Sequence, residues 1–218
     1  MWVLAILLTV TGYILGSIPT AYLAGRWVKG IDLRRHGSGT VSGSMVWEHV
    51  ARWALFPVGI FDIFKGVLPV WLCLWLGLNE NLAALAGLAA VAGHNWPIFL
   101  GFTGGRGLSP FLGVLLVMFP WGIPWMLSFL AVGYLLGDSA PWALGSLLLL
   151  PLYTRWLDGP VPIAWAALFM VALTVTKRLE ANRRPLPKEK QMRRTMLLRR
   201  VLLDRDISSH KEWINRQS

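Results

Sequence analysis

The chain has 218 residues, of which 55% are hydrophobic, with a mean hydropathy of +0.53, thirteen tryptophans and a formal net charge of +10. That composition excludes an ordinary soluble domain and indicates an integral membrane protein. The single cysteine, Cys73, lies inside an apolar run, which excludes a disulfide framework and argues against redox chemistry or a Cys/His metal site.

Apolar stretches fall at about 2–25, 51–77, 82–100, 107–119, 122–137, 141–155 and 160–176. Several are shorter than the roughly 20 residues that cross a bilayer, and Pro110, Pro120, Pro124 and Pro141 separate or kink them. The expected fold is an all-α membrane protein of about seven spans, several short or proline-interrupted. The first stretch lacks a basic leader and is read as a retained helix, not a signal peptide. Residues 1–176 form the expected membrane domain and 177–218 a basic tail.

Within the first span, Gly16, Ser17, Ile18 and Pro19 can open the helix or merely kink it. After it come Arg26, Lys29, Arg34, Arg35 and Arg52, whereas the stretch around Asn79–Asn81 carries no basic residue. The positive-inside tendency therefore places this first loop, the loop holding Arg106 and the tail on the cytoplasmic side, with the N-terminus outside. The loop at 32–40 packs Arg34, Arg35, Ser38 and Thr40 around two glycines. It suits a phosphate or a plain positive-inside loop.

Asp62 and Lys65 share one helix face in the next span, a costly placement unless they are paired or functional. His94 and Asn95 then open a segment that ends in Gly104, Gly105, Arg106 and Gly107. Glycines allow backbone N–H groups to converge on an anion, and the arginine adds a planar donor fork. His94 suits a general base, and Asn95 suits a hydrogen-bonding orienter. Singly, each of these residues also fits a structural role.

The tail from Lys177 carries thirteen Lys and Arg against five Asp and Glu. Met192, Thr195, Met196, Arg199, Leu202 and Leu203 recur at helical spacing beside Arg193, Arg194 and Arg200. The expectation is a basic amphipathic helix on anionic lipid headgroups, with no nucleic-acid partner.

The motifs GSIP at 16–19, DLR followed by GSG at 32–39, FDxxKGxxPVW at 61–71 and GHNWPIFLGFTGGRG at 93–107 occur in the order and spacing of one family. In these motifs the chain resembles the bacterial acyl-phosphate-dependent glycerol-3-phosphate acyltransferases. Arg178, Asn182 and Leu186 extend the resemblance into the tail. It implies a multi-pass enzyme of the bacterial inner membrane that moves a fatty acyl group from acyl phosphate to the 1-hydroxyl of glycerol 3-phosphate. The products would be lysophosphatidic acid and phosphate, and no cofactor or metal would be required.

By the same resemblance, Gly104, Gly105, Arg106 and Gly107 would hold the acyl phosphate, Lys65, Arg34 and Ser38 would hold glycerol 3-phosphate, and Ser17, Thr40 and Ser146 would also serve substrate binding. His94, Asn95 and Arg106 would form the catalytic group, and either His94 or a substrate phosphate oxygen would take the hydroxyl proton. The chain departs from the family pattern mainly at 40–48. There Thr40 and Met45 replace asparagines, Ser42 a glycine and Glu48 an arginine. Elsewhere Arg106 replaces a lysine, Ala143 a serine, Leu179 a histidine and Pro185 an arginine. Arg52, one turn beyond Glu48, is a candidate substitute for the lost charge. Two other readings follow from the same residues: a degenerate relative that binds acyl phosphate or lipid as regulator or scaffold, and an organic-phosphate transporter. No internal repeat supports the second.

Overall fold

The computed structural model describes residues 2–215, and these form helices and connecting loops without strands. In chain order the helices are α1 (Trp2–Gly16), α2 (Thr20–Lys29), α3 (Gly43–His49), α4 (Leu55–Trp75), α5 (Glu80–Asn95), α6 (Leu108–Met118), α7 (Gly122–Leu135), α8 (Ser139–Trp156), α9 (Val161–Glu180), α10 (Lys190–Leu203) and α11 (His210–Asn215). Among the described residues four stretches are long and apolar enough to cross a membrane: Trp2–Lys29, Arg52–Trp75, Glu80–Leu100 and Val161–Arg183. The apolar α6 and α7 are shorter, so the expected seven apolar segments are present as helices but only some have full spanning length.

The centre of the bundle is α5, which packs against α1, α4, α6 and α9. Its sequence explains that position. ENLAALAGLAAVAGHN offers mostly small side chains, and close backbone approach is how apolar helices gain dispersion contact without a hydrophobic driving force. A Cβ added to Gly12 of α1 would come within 2.6 Å of the Ala86 carbonyl oxygen, and one at Gly93 would run into the Tyr13 carbonyl. Gly66 of α4 meets Pro110 of α6 in the same way, and Gly113 of α6 meets Ile63. Around these contacts, Phe111, Leu115, Met126, Leu147, Leu150, Ile163 and Met170 form the main apolar core.

The first apolar stretch is not one helix. It breaks at Ser17–Pro19, because Pro19 cannot continue the α1 hydrogen-bond ladder, and α2 restarts at Thr20. Beyond α2, Gly30 takes a left-handed conformation (φ 71°) that turns the chain into the 31–42 loop. A second, smaller cluster of Ala21, Leu33, Val41, Met45, Val46 and Val58 supports that loop.

The tail helix forms as α10, with Met192, Leu198 and Leu202 exposed. Its charge distribution differs from a purely lipid-facing helix, because Arg200 is turned inward and buried. Arg200 donates to the Leu179 carbonyl at the end of α9, while Arg178 of α9 donates to the Val201 carbonyl at the end of α10. Each arginine thus satisfies carbonyls that the partner helix leaves open at its C-terminus, where positive charge is favoured.

Candidate active site

Three loops meet at one end of the bundle. They are residues 31–42 after α2, 101–107 before α6 and 181–187 after α9. The first two are joined where the Val41 amide donates to the Gly104 carbonyl at 3.2 Å. Asn182 ties in the third, its amide nitrogen donating to the Gly39 carbonyl at 3.1 Å and the Gly104 carbonyl at 3.4 Å. That reach depends on three consecutive left-handed residues, Ala181, Asn182 and Arg183, with φ of 47°, 53° and 64°. Such a run costs of order 1–2 kcal/mol per residue, so the surrounding contacts must hold it in place.

Beneath the loops lies a buried charged cluster. Lys65 Nζ donates to Asp62 Oδ1 at 2.6 Å, to the Ile18 carbonyl at 2.5 Å and to Thr20 Oγ1 at 3.0 Å, which uses all three of its protons. The Thr20 hydroxyl donates to the same Asp62 oxygen at 2.5 Å. The break in the first helix is what frees the Ile18 carbonyl for this purpose. The break therefore has a definite structural use.

Asp62 also faces His94, with Oδ1 3.7 Å from Nδ1. A carboxylate on that side favours the proton on Nδ1 and leaves Nε2 as the basic nitrogen. Nε2 lies against Gly105, so closely that any Cβ there would overlap the ring. The neighbouring Asn95 is fully buried, and neither its oxygen nor its nitrogen has a hydrogen-bond partner. Its oxygen sits 2.8 Å from where a Gly107 Cβ would be. A buried primary amide without partners costs about 1–3 kcal/mol, so this group is poised for something that enters beside it.

The glycine loop supplies the complement. Gly105 N–H donates to the His94 carbonyl at 3.1 Å, and Gly107, at φ 72°, caps α6. Among the described residues, no backbone carbonyl accepts from the Gly104, Arg106 or Gly107 amides. Those donors and the positive N-terminus of α6 favour an anion at the loop. Arg106 is mostly buried, and its guanidinium makes a bidentate pair with Asp204 at 2.7–2.8 Å.

A cleft of about 430 Å³ opens above this point, lined by Asp32, Arg34, Arg35, Gly39, Thr103, Asn182 and Arg184. Arg34 is paired to Asp32 at 2.7 Å and stacks over the Tyr22 ring. The Arg34 hydrogen bond to Asp32 holds the Asp32 carboxyl below the usual carboxylate range. Ser38, Thr40, Ser42 and Ser44 form a chain of hydroxyls with spacings of 2.6, 3.3 and 3.0 Å. Arg184 donates to the Ser38 carbonyl.

Most residues anticipated from sequence gather here: Arg34, Ser38, Thr40, Lys65, His94, Asn95, Gly104, Gly105, Arg106 and Gly107. Ser17 lies in the helix break between Gly16 and Ile18, which line a small cavity with Lys65, His94 and Gly104, and its hydroxyl donates to the Tyr13 carbonyl, one turn back in α1. Ser146 donates to the Ala143 carbonyl and sits against Trp125, in the interface of α7 and α8. Arg52, the candidate substitute for a charge at Glu48, stacks over Trp47. Glu48 is exposed, and Met45 is buried in the small apolar cluster.

Sequence reasoning missed Arg184, Asp204 and Asp206. For Arg184 there was a signal: it immediately precedes Pro185, which occupies the position of an arginine in the resembled pattern. For the two aspartates there was none, because they lie in the basic tail.

The model of the family described as glycerol-3-phosphate acyltransferase matches residues 6–187. Glycerol-3-phosphate acyltransferase 5 of Dehalococcoides mccartyi is 37% identical over 222 residues, covering 98% of this chain and 94% of the relative. A glycerol-3-phosphate acyltransferase of Synechococcus sp. (strain CC9902) is 45% identical over 129 residues, 59% of this chain and 64% of the relative. Among solved structures, the integral membrane glycerol 3-phosphate acyltransferase PlsY (YgiH) in its glycerol 3-phosphate form aligns with a TM-score of 0.73 at 27% identity. That alignment covers 83% of this chain and 90% of PlsY.

Proposed function

The chain belongs to the glycerol-3-phosphate acyltransferase family as a multi-pass membrane protein, and on that premise we propose that it transfers a fatty acyl group from acyl phosphate to glycerol 3-phosphate. The observation that carries the reading is the pairing of two phosphate-sized polar loops, 38–42 and 104–107, through Asn182, with His94 and the unpartnered Asn95 amide beside the second.

In this reading the acyl phosphate group rests on the Gly104, Arg106 and Gly107 amides and the α6 N-terminus. These donors favour charge as it develops on the leaving phosphate. Arg106 contributes the permanent cation. Glycerol 3-phosphate enters through the arginine-lined cleft of Arg34, Arg35 and Arg184, and the Ser38–Thr40 hydroxyls face its polyol. Lys65, whose protons are all engaged, supports the site from beneath through Asp62 and the Ile18 carbonyl.

The 1-hydroxyl oxygen bonds to the acyl carbon as the bond from that carbon to the phosphate oxygen breaks. His94 Nε2, with its ring oriented by Asp62, takes the hydroxyl proton and passes it to the departing phosphate. The products are lysophosphatidic acid and inorganic phosphate. Because acyl phosphate is already activated, holding the two reactants together supplies much of the acceleration. Orientation follows from the same loops: the segments at 31–42, 101–107 and 181–184, each rich in basic or anion-binding groups, lie at one end and face the cytoplasm.

The test is direct. Purified protein incubated with palmitoyl phosphate and labelled glycerol 3-phosphate should yield labelled lysophosphatidic acid, and Arg106→Ala should reduce it by two orders of magnitude. Absence of product from the wild type would sink the reading, and retained palmitoyl phosphate binding would then favour a degenerate binding relative.

A further inference from the structure

The family match ends at residue 187, yet the structure brings a turn from beyond that point into the site. Asp204 ends α10 in a left-handed conformation (φ 54°), and its carboxylate grips the Nε and Nη2 edge of Arg106. Two residues on, Asp206 pairs with Arg184 at 3.2 Å, and Arg184 reaches the Ser38 carbonyl. The tail thus touches both anion-binding loops through a carboxylate on an arginine.

This turn is anchored too firmly to be a loose end. Arg200 holds Asp206 at 2.6 Å with 2% of the arginine side chain exposed. Arg205 pairs with Asp138 at 2.8 Å, joining the turn to the start of α8. Arg178 secures the end of α10 from below. Buried ion pairs with satisfied geometry gain little net stability, but they fix one arrangement over its competitors.

We infer that Asp204 is a positioning residue for phosphate binding: it fixes the plane of the Arg106 guanidinium, so that the glycine loop presents its cation in a single orientation. The inference rests on Arg106 meeting the acyl phosphate. The chemistry is self-consistent. A long arginine at the end of a glycine loop has many rotamers, and a bidentate carboxylate on one edge removes that freedom before substrate arrives. The opposite side of the guanidinium is held more loosely, Nη1 donating to the Lys177 carbonyl at 3.4 Å, so one N–H each of Nη1 and Nη2 is left for a phosphate in a fixed plane, where a lysine ammonium would offer a rotating point charge.

Binding of palmitoyl phosphate, without acceptor, is measured by titration calorimetry on the full chain in detergent. Asp204→Asn should weaken binding about tenfold, within the range that misplacement of a binding group costs, and Asp204→Glu should restore most of it. Asp138→Asn keeps the α8 cap while removing the Arg205 pair, and should leave binding unchanged. In an Arg106→Ala background Asp204→Asn should add nothing.

Unchanged or tighter binding in Asp204→Asn overturns the inference, tighter binding meaning that Asp204 competes with phosphate. Equal weakening in Asp138→Asn overturns it as well, since general loosening of the tail would then suffice. Thermal unfolding monitors folding, and Asp204→Ser replaces the asparagine variant where that one fails to fold. A wild type that binds palmitoyl phosphate but transfers no acyl group fails the proposed reaction alone. A wild type that does not bind it fails both.

Discussion

The two halves of the site are built differently. On the α4–α5 side, Asp62, Lys65, His94 and the glycine loop are supplied by two long helices and their junctions; the Asp62–Lys65–Thr20 cluster is satisfied within the bundle, while the Asn95 amide beside it is left without partners. On the other side, the 31–42 loop is completed by residues from far along the chain, Asn182 and Arg184, the second of them paired with Asp206 of the tail. A buried cluster tolerates little change because each lost partner strands a charge. A loop held by reach-over contacts can exchange its residues, provided another segment supplies the missing group. In that loop Met45 is part of the small apolar cluster and Glu48 points outward, while Arg184 stands beside Ser38.

Four substitutions or conditions break or sharpen that contrast. The largest effect is expected from Asp62→Asn, which leaves Lys65 buried without its counter-charge. It should cost about 3–5 kcal/mol, the usual penalty for stranding a buried charge, and abolish activity; a thermal midpoint unchanged in detergent would refute the clamp. Gly105→Ala comes next. Its methyl would overlap the His94 ring and crowd the Val41 carbonyl at 2.9 Å, so stability should fall by about 1–3 kcal/mol, as for other overpacked sites, and turnover by about a hundredfold, the scale of a misplaced catalytic group. Turnover that falls no further than the folded fraction does would place Gly105 in the packing and remove it from the chemistry.

On the rebuilt side the effects are smaller. Met45→Asn restores the family residue, yet it buries an amide among Leu33, Val41 and Val46. We expect destabilisation of about 1–3 kcal/mol, as for other buried unpaired polar groups, and no gain in activity. Increased acyl transfer would show that this loop turns Met45 toward substrate. The smallest effect concerns pH. Because Asp32 has its carboxyl lowered by Arg34, the pair contributes its stability in full above the ordinary aspartate value of about 3.9 and loses it as pH falls through the lowered value. For so exposed a pair the loss is at most about 1 kcal/mol, measured as the difference between wild type and Asp32→Asn across pH 2–6.

Much of the bundle was legible because hydrophobicity and proline placement are local properties. The seven apolar stretches became α1 with α2 and α4–α9; Pro120 lies between α6 and α7, and Pro110, Pro124 and Pro141 fall in the first turns of α6, α7 and α8. The motif residues Asp62, Lys65, His94 and Gly104–Gly107 were legible as polar or glycine positions in an apolar background, where such residues require a partner or a function. The roles of Ser17 and Ser146 were not legible for a physical reason: a hydroxyl in a helix can satisfy itself on a carbonyl three or four residues back, and both do.

By itself, then, the sequence determined the membrane class, the helical segments and the set of polar groups that had to find partners. Only the tertiary structure decided which partners they found. Lys65 meets the Ile18 carbonyl across 47 residues, Asn182 joins Gly39 to Gly104, and Arg106 is held by Asp204 from 98 residues away. Periodicity and motif spacing describe neighbours along the chain. The charge pairs that complete this site join residues whose proximity exists only once α5 is buried and α9 and α10 have exchanged arginines at their ends.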